Sequence, residues 1–353
     1  MEKIQKLREQ FAQAGIDGML VTSPYNRRYM TNFTGTSGVA LISEEKALFI
    51  TDFRYVEQAG NQAAGYEIVQ HTVPIHEEVA KQAEKLGIQK LGFEKDHLTY
   101  SNYQDYQKAF KGELIPVGGI IENLRLIKSE SEIKILKEAA DIADAAFKHI
   151  LDFIKPGITE LEVANELEFF MRKCGASSSS FDTIVASGKR SALPHGVASE
   201  KVIEKGDIVT LDYGALYKGY VSDITRTVAV GEPSADLKNI YQIVLDAQLL
   251  AVEKIKPGMT GKEADAIARN YIAEKGFGDQ FGHSLGHGIG LEIHEKPVLS
   301  MRSDIVLQPG MAVTIEPGIY VPGLGGVRIE DDAIITSSGN ETITHSTKDL
   351  IIL

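Results

Sequence analysis

The chain has 353 residues, 43% hydrophobic and 24% charged, the balance of an ordinary globular protein with about two domains and a substantial core that needs no disulfide staples. Its 37 basic residues face 49 acidic ones, a formal charge of −12 that argues against nucleic acid or an anionic membrane as partner. Cys174 stands alone, which rules out an intrachain disulfide and a thiolate metal cluster and makes a reducing cytoplasm the expected setting.

The opening stretch MEKIQKLREQFAQAG has no apolar h-region and does not read as a signal peptide, and no continuous apolar run is long enough to span a bilayer. Ile4, Leu7 and Phe11 recur at helical spacing and predict a helix over Glu2 to Ala14, with Gly15 as its C-cap. Short buried strands are expected at Gly18 to Thr22, Val39 to Ile42 and Lys46 to Thr51. Helices follow at Ile75 to Leu86 and Tyr100 to Phe110, with a strand at Lys90 to Phe93 between them. The alternation predicts an α/β first domain, residues 1–122, closed by the punctuation of Pro116, Gly118 and Gly119. Its charged residues, among them Asp52, Arg54, Arg27 and Arg28, are expected on a solvated surface or an interface.

From Ser129 the pattern changes to long helices, Glu130 to Phe153 and Ala235 to Lys254. Each runs into the same turn: Ile154-Lys155-Pro156-Gly157 returns as Ile255-Lys256-Pro257-Gly258, an offset of 101 that persists at Thr159/Thr260, Glu162/Glu263 and Gly175/Gly276. Thr followed three residues later by Glu is a capping box, so both copies should open a helix. A second echo aligns GDIVTLDYG at Gly206–Gly214 with GMAVTIEPG at Gly310–Gly318. The second domain, residues 123–353, is therefore expected to be an internal duplication whose halves each deliver a carboxylate, Asp212 and Glu316, from the end of a matching strand.

Asp223 follows Asp212 across a glycine-containing stretch, Tyr213 to Ser222, that can turn a hairpin. Asp223, Thr225 and Thr227 alternate as on one strand, and Arg328, Glu330 and Asp332 as on one face of another. Three of the nine histidines, His283, His287 and His294, fall within GHSLGHGIGLEIHE at Gly282–Glu295, where Gly286, Gly288 and Gly290 break any helix and let the backbone come close to something else. Carboxylates among apolar neighbours such as Leu211, Ile315 and Ile329 are costly unless paired or coordinated. Ion pairing with Arg226 and Arg328 accounts for about two of the acids; a pair of hard divalent cations accounts for all four together with a histidine. Carboxylates and one imidazole without thiolate suit Mn²⁺, Co²⁺ or Fe²⁺ better than a thiolate zinc site.

The residues from about Ser129 to Leu353 resemble the pita-bread metallopeptidases: prolidases, aminopeptidase P and methionine aminopeptidases. The motifs that carry the likeness are SALPHG (Ser191–Gly196), LDYGALYKGYVSDITRT (Leu211–Thr227), HSLGHGIGLEIHE (His283–Glu295), TIEPGIY (Thr314–Tyr320) and GVRIED (Gly326–Asp331). The first domain, with ITDFRY at Ile50–Tyr55, resembles the smaller domain of prolidases and aminopeptidase P, which methionine aminopeptidases generally lack. The resemblance implies an α+β pita-bread catalytic domain holding two divalent metal ions per chain, manganese first and cobalt, iron or zinc as alternatives. Asp212 would chelate one metal, Asp223 and Glu330 would bridge both, and His287 and Glu316 would complete the second. A hydroxide bridging the two would be the nucleophile, with Glu316 shuttling its proton, His294 stabilising the oxyanion, His195 and His283 contacting substrate, and Arg328 tying down a carboxylate or a substrate group.

The activity so implied is that of a proline dipeptidase: a small peptide substrate with proline after the scissile bond, cleaved by a cytoplasmic homodimer. Aminopeptidase P, acting on longer Xaa-Pro peptides, is the near alternative. A metal-free creatinase-like hydrolase or a non-enzymatic binding module is the remoter one, since either should have lost ligands that are all intact here. Lys296, Arg302 and Arg328 are the cations considered for a substrate carboxylate. His71, His76, His97, His149 and His345 are expected to be structural or exposed, Asp331 and Asp332 solvated or behind the ligands, Ser177–Ser180 a loop, and Lys189-Arg190 a surface cation pair at most.

Overall fold

A computed structural model describes residues 2–353. The chain separates into two compact units, the first ending at Arg125 and the second running Leu126–Leu353.

The first unit is an α/β layer. Its strands are β1 (Gly18–Val21), β2 (Val39–Ser43), β3 (Ala47–Thr51), β4 (Glu67–Gln70), β5 (Lys90–Glu94) and β6 (Glu113–Val117); its helices are α1 (Glu2–Arg8), α2 (Phe11–Ala14), α3 (Pro24–Thr31), α4 (Val56–Gln62), α5 (Ile75–Lys85), α6 (Tyr100–Ala109) and α7 (Ile120–Arg125). The strands form one mixed sheet in the order β4-β3-β2-β1-β5-β6, with β1, β2 and β3 antiparallel and the outer pairs parallel. Leu20, Leu41, Leu48, Ile50, Val79, Ile88 and Leu91 fill the core between sheet and helices. The helix expected over residues 2–14 is two helices, because a three-residue bond from Gln10 N–H to Leu7 O interrupts the ladder, and Gly15 ends the second with positive φ. The division between units falls after α7, and Glu122 lies inside that helix. Arg27 is not on a solvated surface: it is buried and donates to the carbonyls of Gly38 (2.8 Å) and Gly35 (2.9 Å), which closes the turn before β2. Asp52 and Arg54 make a surface ion pair.

The second unit pairs long helices with short antiparallel sheets. Helices α8 (Glu130–Ile150) and α9 (Glu160–Lys173) pack on each other, as do α10 (Ala235–Lys254) and α11 (Gly261–Glu274). Full capping boxes at Thr159/Glu162 and Thr260/Glu263 start α9 and α11, satisfying end N–H groups in both copies of the repeat. The strands are β7 (Ser178–Ser179), β8 (Ile184–Ser187), β9 (Ile208–Tyr213), β10 (Ala215–Tyr217), β11 (Tyr220–Val221), β12 (Ile224–Ala229), β13 (Gly286–Gly288), β14 (Glu295–Leu299), β15 (Ala312–Ile315), β16 (Gly318–Val321), β17 (Gly325–Arg328), β18 (Asp331–Ile335) and β19 (Asn340–Thr342). One sheet runs β8-β9-β12 and another β14-β13-β15-β18-β19, with β7-β10-β11 and β16-β17 beside them. Two apolar cores reflect the duplication: α8 and α9 cover Val185, Val209, Leu211 and Ile224, while α10 and α11 cover Val313, Ile315, Ile329 and Ala333.

Details depart from expectation. Ser178–Ser179 is a two-residue strand paired with β10, not a loop. The hairpin between Asp212 and Asp223 turns at Lys218 and Gly219, both at positive φ, so that Tyr217 faces Tyr220. Arg190 is not a free surface cation; it reaches the fully buried Glu160.

Candidate metal centre

Asp212 is the penultimate residue of β9, while the other expected ligands sit where a ladder is interrupted. Asp223 lies between β11 and β12, Glu316 between β15 and β16, and Glu330 between β17 and β18; His287 lies in β13 at a register shift. Interruption is what frees these groups to converge. The run Arg328 to Asp332, expected as one strand, is two: the Glu330 N–H leaves the ladder for the Thr225 carbonyl of β12 (3.1 Å), and its side chain turns to Thr225 as well. Close backbone approach explains two of the glycines near His287. A Cβ on Gly286 would lie 2.0 Å from the Thr314 carbonyl oxygen, and one on Gly288 would lie 2.3 Å from that of Lys296.

One ligating atom each from Asp223, His287 and Glu330 lies within 4.8 Å of the others. His287 Nε2 is 3.6 Å from Asp223 Oδ2 and 3.4 Å from Glu316 Oε1. Its Nδ1 sits 3.1 Å from the Gly288 carbonyl, which assigns the proton to Nδ1 and leaves the Nε2 lone pair facing carboxylate oxygens. Asp212 Oδ1, Asp223 Oδ1 and Glu330 Oε1 are buried and have no hydrogen-bond partner. Lone pairs that face one another in a buried site, with their donors missing, are a ligand set for cations rather than a hydrogen-bonded network.

The electrostatics agree. Burial, then the charge of Glu330 and the other acids, holds the Asp223 carboxyl well above the usual range. Burial and then Glu316 do the same for Glu330, and burial pushes Glu316 up to about 8 despite the nearby Arg328 cation. Burial lowers His287 to about 4, with the neighbouring His294 adding to it, so the imidazole is neutral. Protons held by crowded carboxyl groups that lack a counter-charge are what added cations would displace.

The surrounding residues orient this set. Thr225 Oγ1 donates to Glu330 Oε2 (2.6 Å) and accepts from Arg328 Nε (3.1 Å). Arg328 also donates to Asp212 Oδ2 and, through Nη1, to the Tyr320 hydroxyl (2.7 Å) and the Pro194 carbonyl (3.2 Å). Thr314 Oγ1 accepts the His287 N–H (3.1 Å) and donates to Glu316 Oε1 (3.1 Å). His283 Nδ1 bonds the Ser284 carbonyl (2.8 Å), so Nε2 accepts from the Tyr320 hydroxyl (2.9 Å). Burial, then the Arg328 cation, brings His283 down to about 4. His294 is exposed, with its ring centroid 4.4 Å from that of His287; His195 is exposed on the turn whose Pro194 carbonyl Arg328 holds. Lys296 and Arg302 are exposed.

Arg226 is fully buried and pairs not with a ligand but with Asp331, while donating to the Glu330 carbonyl. Ion pairing thus takes up Asp212 and Asp331, and among the described residues no lysine or arginine is paired with Asp223, Glu316 or Glu330. Asp331 and Asp332 are wholly buried, so neither is solvated: Asp331 is ringed by Arg226, Lys348, Gln248 and Thr344, and Asp332 Oδ2 accepts the Asp223 N–H (2.8 Å). Thr225, Thr314 and Tyr320 are parts of the site to which the sequence assigns no role, although Tyr320 and Thr314 lie inside the TIEPGIY motif and Thr225 alternates with Asp223. Of the two expectations for Asp332, solvated or behind the ligands, the structure shows the second.

Comparison with known proteins identifies the family of the two units. Residues 134–337 match the model of metallopeptidase family M24, and residues 3–127 match that of the creatinase/prolidase N-terminal domain. A Xaa-Pro dipeptidase from Bacillus anthracis is 71% identical, with a TM-score of 0.99 covering 100% of this chain and 99% of that one. The prolidase from Pyrococcus horikoshii is 44% identical with a TM-score of 0.95, covering 99% and 100%. An X-Pro aminopeptidase from Thermotoga maritima is 40% identical with a TM-score of 0.92, covering 98% and 100%. Among the described residues no helix is long and apolar enough to cross a membrane. With the two family models covering its two units in order and full-length relatives well above 30% identity, the chain belongs to metallopeptidase family M24 and is a metallopeptidase of the pita-bread fold with a creatinase/prolidase N-terminal domain.

Proposed function

We propose that this enzyme is a proline dipeptidase that hydrolyses the Xaa-Pro imide bond, with two divalent cations held by Asp212, Asp223, His287, Glu316 and Glu330. The observation that carries the reading is the convergence of a His287 ring nitrogen with the Asp223 and Glu330 carboxylates, within 4.8 Å, beside buried oxygens that have no hydrogen-bond partner. Cations bound there supply Lewis acidity and bring the pKa of a water toward neutrality. Oxygen donors with one imidazole favour manganese, with cobalt, iron and zinc as alternatives.

The protein's own groups do the rest. Glu316, held at Oε1 by Thr314, takes the proton of the attacking water and returns it to the proline nitrogen as the bond breaks. Arg328 holds the Asp212 carboxylate in place, and through Tyr320 it orients a neutral His283 toward the substrate. His294, exposed and edge-on to His287, donates to the carbonyl oxygen as negative charge develops, and His195 closes the other side. Proline lacks an N–H and fixes φ, so its imide bond suits a dedicated enzyme rather than one tuned to secondary amides. The names of the Bacillus and Pyrococcus relatives support that substrate, and a cytoplasmic homodimer completes the reading.

Turnover of Ala-Pro and Ala-Pro-Ala by the Mn²⁺-loaded enzyme, with metal content measured on the same sample, tests the proposal. Two ions per chain and faster turnover of Ala-Pro are expected. Faster turnover of Ala-Pro-Ala would make the enzyme an aminopeptidase P, and a metal-free sample without peptidase activity would overturn the reading altogether.

A further inference from the structure

Phe281–Leu285 carries His283 and leads directly into β13, yet it belongs to no strand. Its backbone polar groups are satisfied by two side chains of α11. Arg269 donates to the carbonyls of Phe281 (3.0 Å) and His283 (2.7 Å), and Asp265 Oδ1 accepts the Leu285 N–H (3.0 Å). The same two residues, four apart on the helix, form a bidentate pair, Arg269 Nε and Nη2 donating to the two carboxylate oxygens of Asp265 (2.5 and 2.8 Å), and Asp265 is fully buried. The guanidinium also lies 4.3 Å over the Phe281 ring, whose edge meets the His283 ring at 5.1 Å. The carbonyl oxygen of Leu285 accepts the Glu316 N–H (2.8 Å).

We infer that Asp265 and Arg269 are positioning residues for the catalytic centre: they fix the segment that presents His283 and, through the Leu285 peptide, the backbone of Glu316. An ion pair serving only the helix would lie on its exposed face and be worth little. This pair is instead turned inward, and its remaining donors and acceptor go to the loop. The first half of the unit shows the same arrangement built from other residues. Glu160, at the start of α9, accepts from the N–H and hydroxyl of Ser187 (2.7 and 2.8 Å) and of Ser199 (3.2 and 2.7 Å), as well as from Arg190, and so ties both ends of the segment that carries His195. At the offset of 101 the counterpart of Glu160 is Gly261, so the shared task is invisible in the repeat. Each duplicated helix holds one histidine-bearing segment by a buried carboxylate paired with arginine.

The inference takes its meaning for turnover from the peptidase reading, but its first test needs neither metal nor substrate. Hydrogen–deuterium exchange is measured on the full-length metal-free chain and on Arg269→Gln, Arg269→Lys and Asp265→Asn. Peptides covering 281–287 should exchange at least about tenfold faster in Arg269→Gln while α10 and the β8-β9-β12 sheet are unchanged, and Lys, which keeps the charge and a donor, should restore part of the protection. With Mn²⁺ and Ala-Pro, kcat should fall about tenfold in Arg269→Gln with KM moving less than about threefold, again partly rescued by Lys. Unchanged exchange at 281–287, faster exchange spread evenly through the unit, or faster local exchange with unchanged kcat each overturns the proposal. If Arg269→Gln does not fold, Arg269→Lys and Asp265→Asn give the same readouts. A wild-type chain that fails to cleave Ala-Pro defeats the peptidase reading while the exchange result stands.

Discussion

Stripped of cations, the second unit should lose stability as pH rises, the reverse of ordinary acid unfolding. Glu316 goes from an ordinary value of 4.5 to about 8 in the fold, chiefly through burial, and Asp223, Glu330 and Asp332 are raised in the same direction. A group whose folded pKa lies above its unfolded one binds more protons when folded. Its stabilisation is complete below the unfolded value and is lost as pH climbs through the folded one. Below about 6.5 the buried His283 and His287, lowered to about 4, act oppositely, because they stabilise the fold only while neutral. The window from pH 6.5 to 9 therefore isolates the carboxyl groups. Over that window Glu316 alone passes through about 1.5 pH units below its folded value, which at 1.36 kcal/mol per unit removes about 2 kcal/mol. For a unit of this size that lowers Tm by roughly 4–8 °C, and the other three acids, raised likewise, act in the same direction. Thermal unfolding of chelator-treated protein at pH 6.5, 7.5 and 9, with and without Mn²⁺, measures the effect. The cation should restore more at pH 9 than at pH 6.5, and titration calorimetry in two buffers of different ionisation enthalpy should show proton release on binding. A metal-free Tm that stays level or rises between pH 6.5 and 9 would refute the reasoning.

Gly286→Ala places a methyl 2.0 Å from a backbone oxygen in the adjoining strand, so β13 must part from β15; urea unfolding should show a loss of about 3 kcal/mol or more, together with loss of Mn²⁺ binding. Thr225→Val keeps the shape but leaves Arg328 Nε and Glu330 Oε2 without their shared hydroxyl. Calorimetric Mn²⁺ affinity should drop about tenfold to a hundredfold while the apolar packing is preserved, and an unchanged affinity would show that Thr225 does not orient Glu330.

Periodicity and capping are local signals, and they revealed the elements that depend on local physics: the matched helices α9 and α11 with their Thr/Glu boxes, and the glycine-rich path of β13. The acids at the ends of the echoed strands were visible for the same reason. What stayed hidden depends on partners distant in the chain. Alternation made Arg328, Glu330 and Asp332 look like one strand face, but the Glu330 N–H prefers a carbonyl of β12, some hundred residues away, and the strand breaks there. Hydrophilic composition left Arg27 on a solvated surface or an interface and left Asp331 and Asp332 either solvated or behind the ligands; burial decides it, with Arg27 donating to backbone carbonyls and the two acids accepting from groups that no pattern of spacing discloses. Arg190 looked idle because Glu160, its acceptor, belongs to another element.

The breaks that free the ligands have one more effect. Asp212 and Asp223 belong to the half built on α8 and α9, and His287, Glu316 and Glu330 to the half built on α10 and α11, so ions seated among them would cross-link the two like a rivet through overlapping plates. A chelator would then do more than silence the enzyme. It would loosen the seam where Thr225 meets Glu330, and a protease probing that seam should find it sooner.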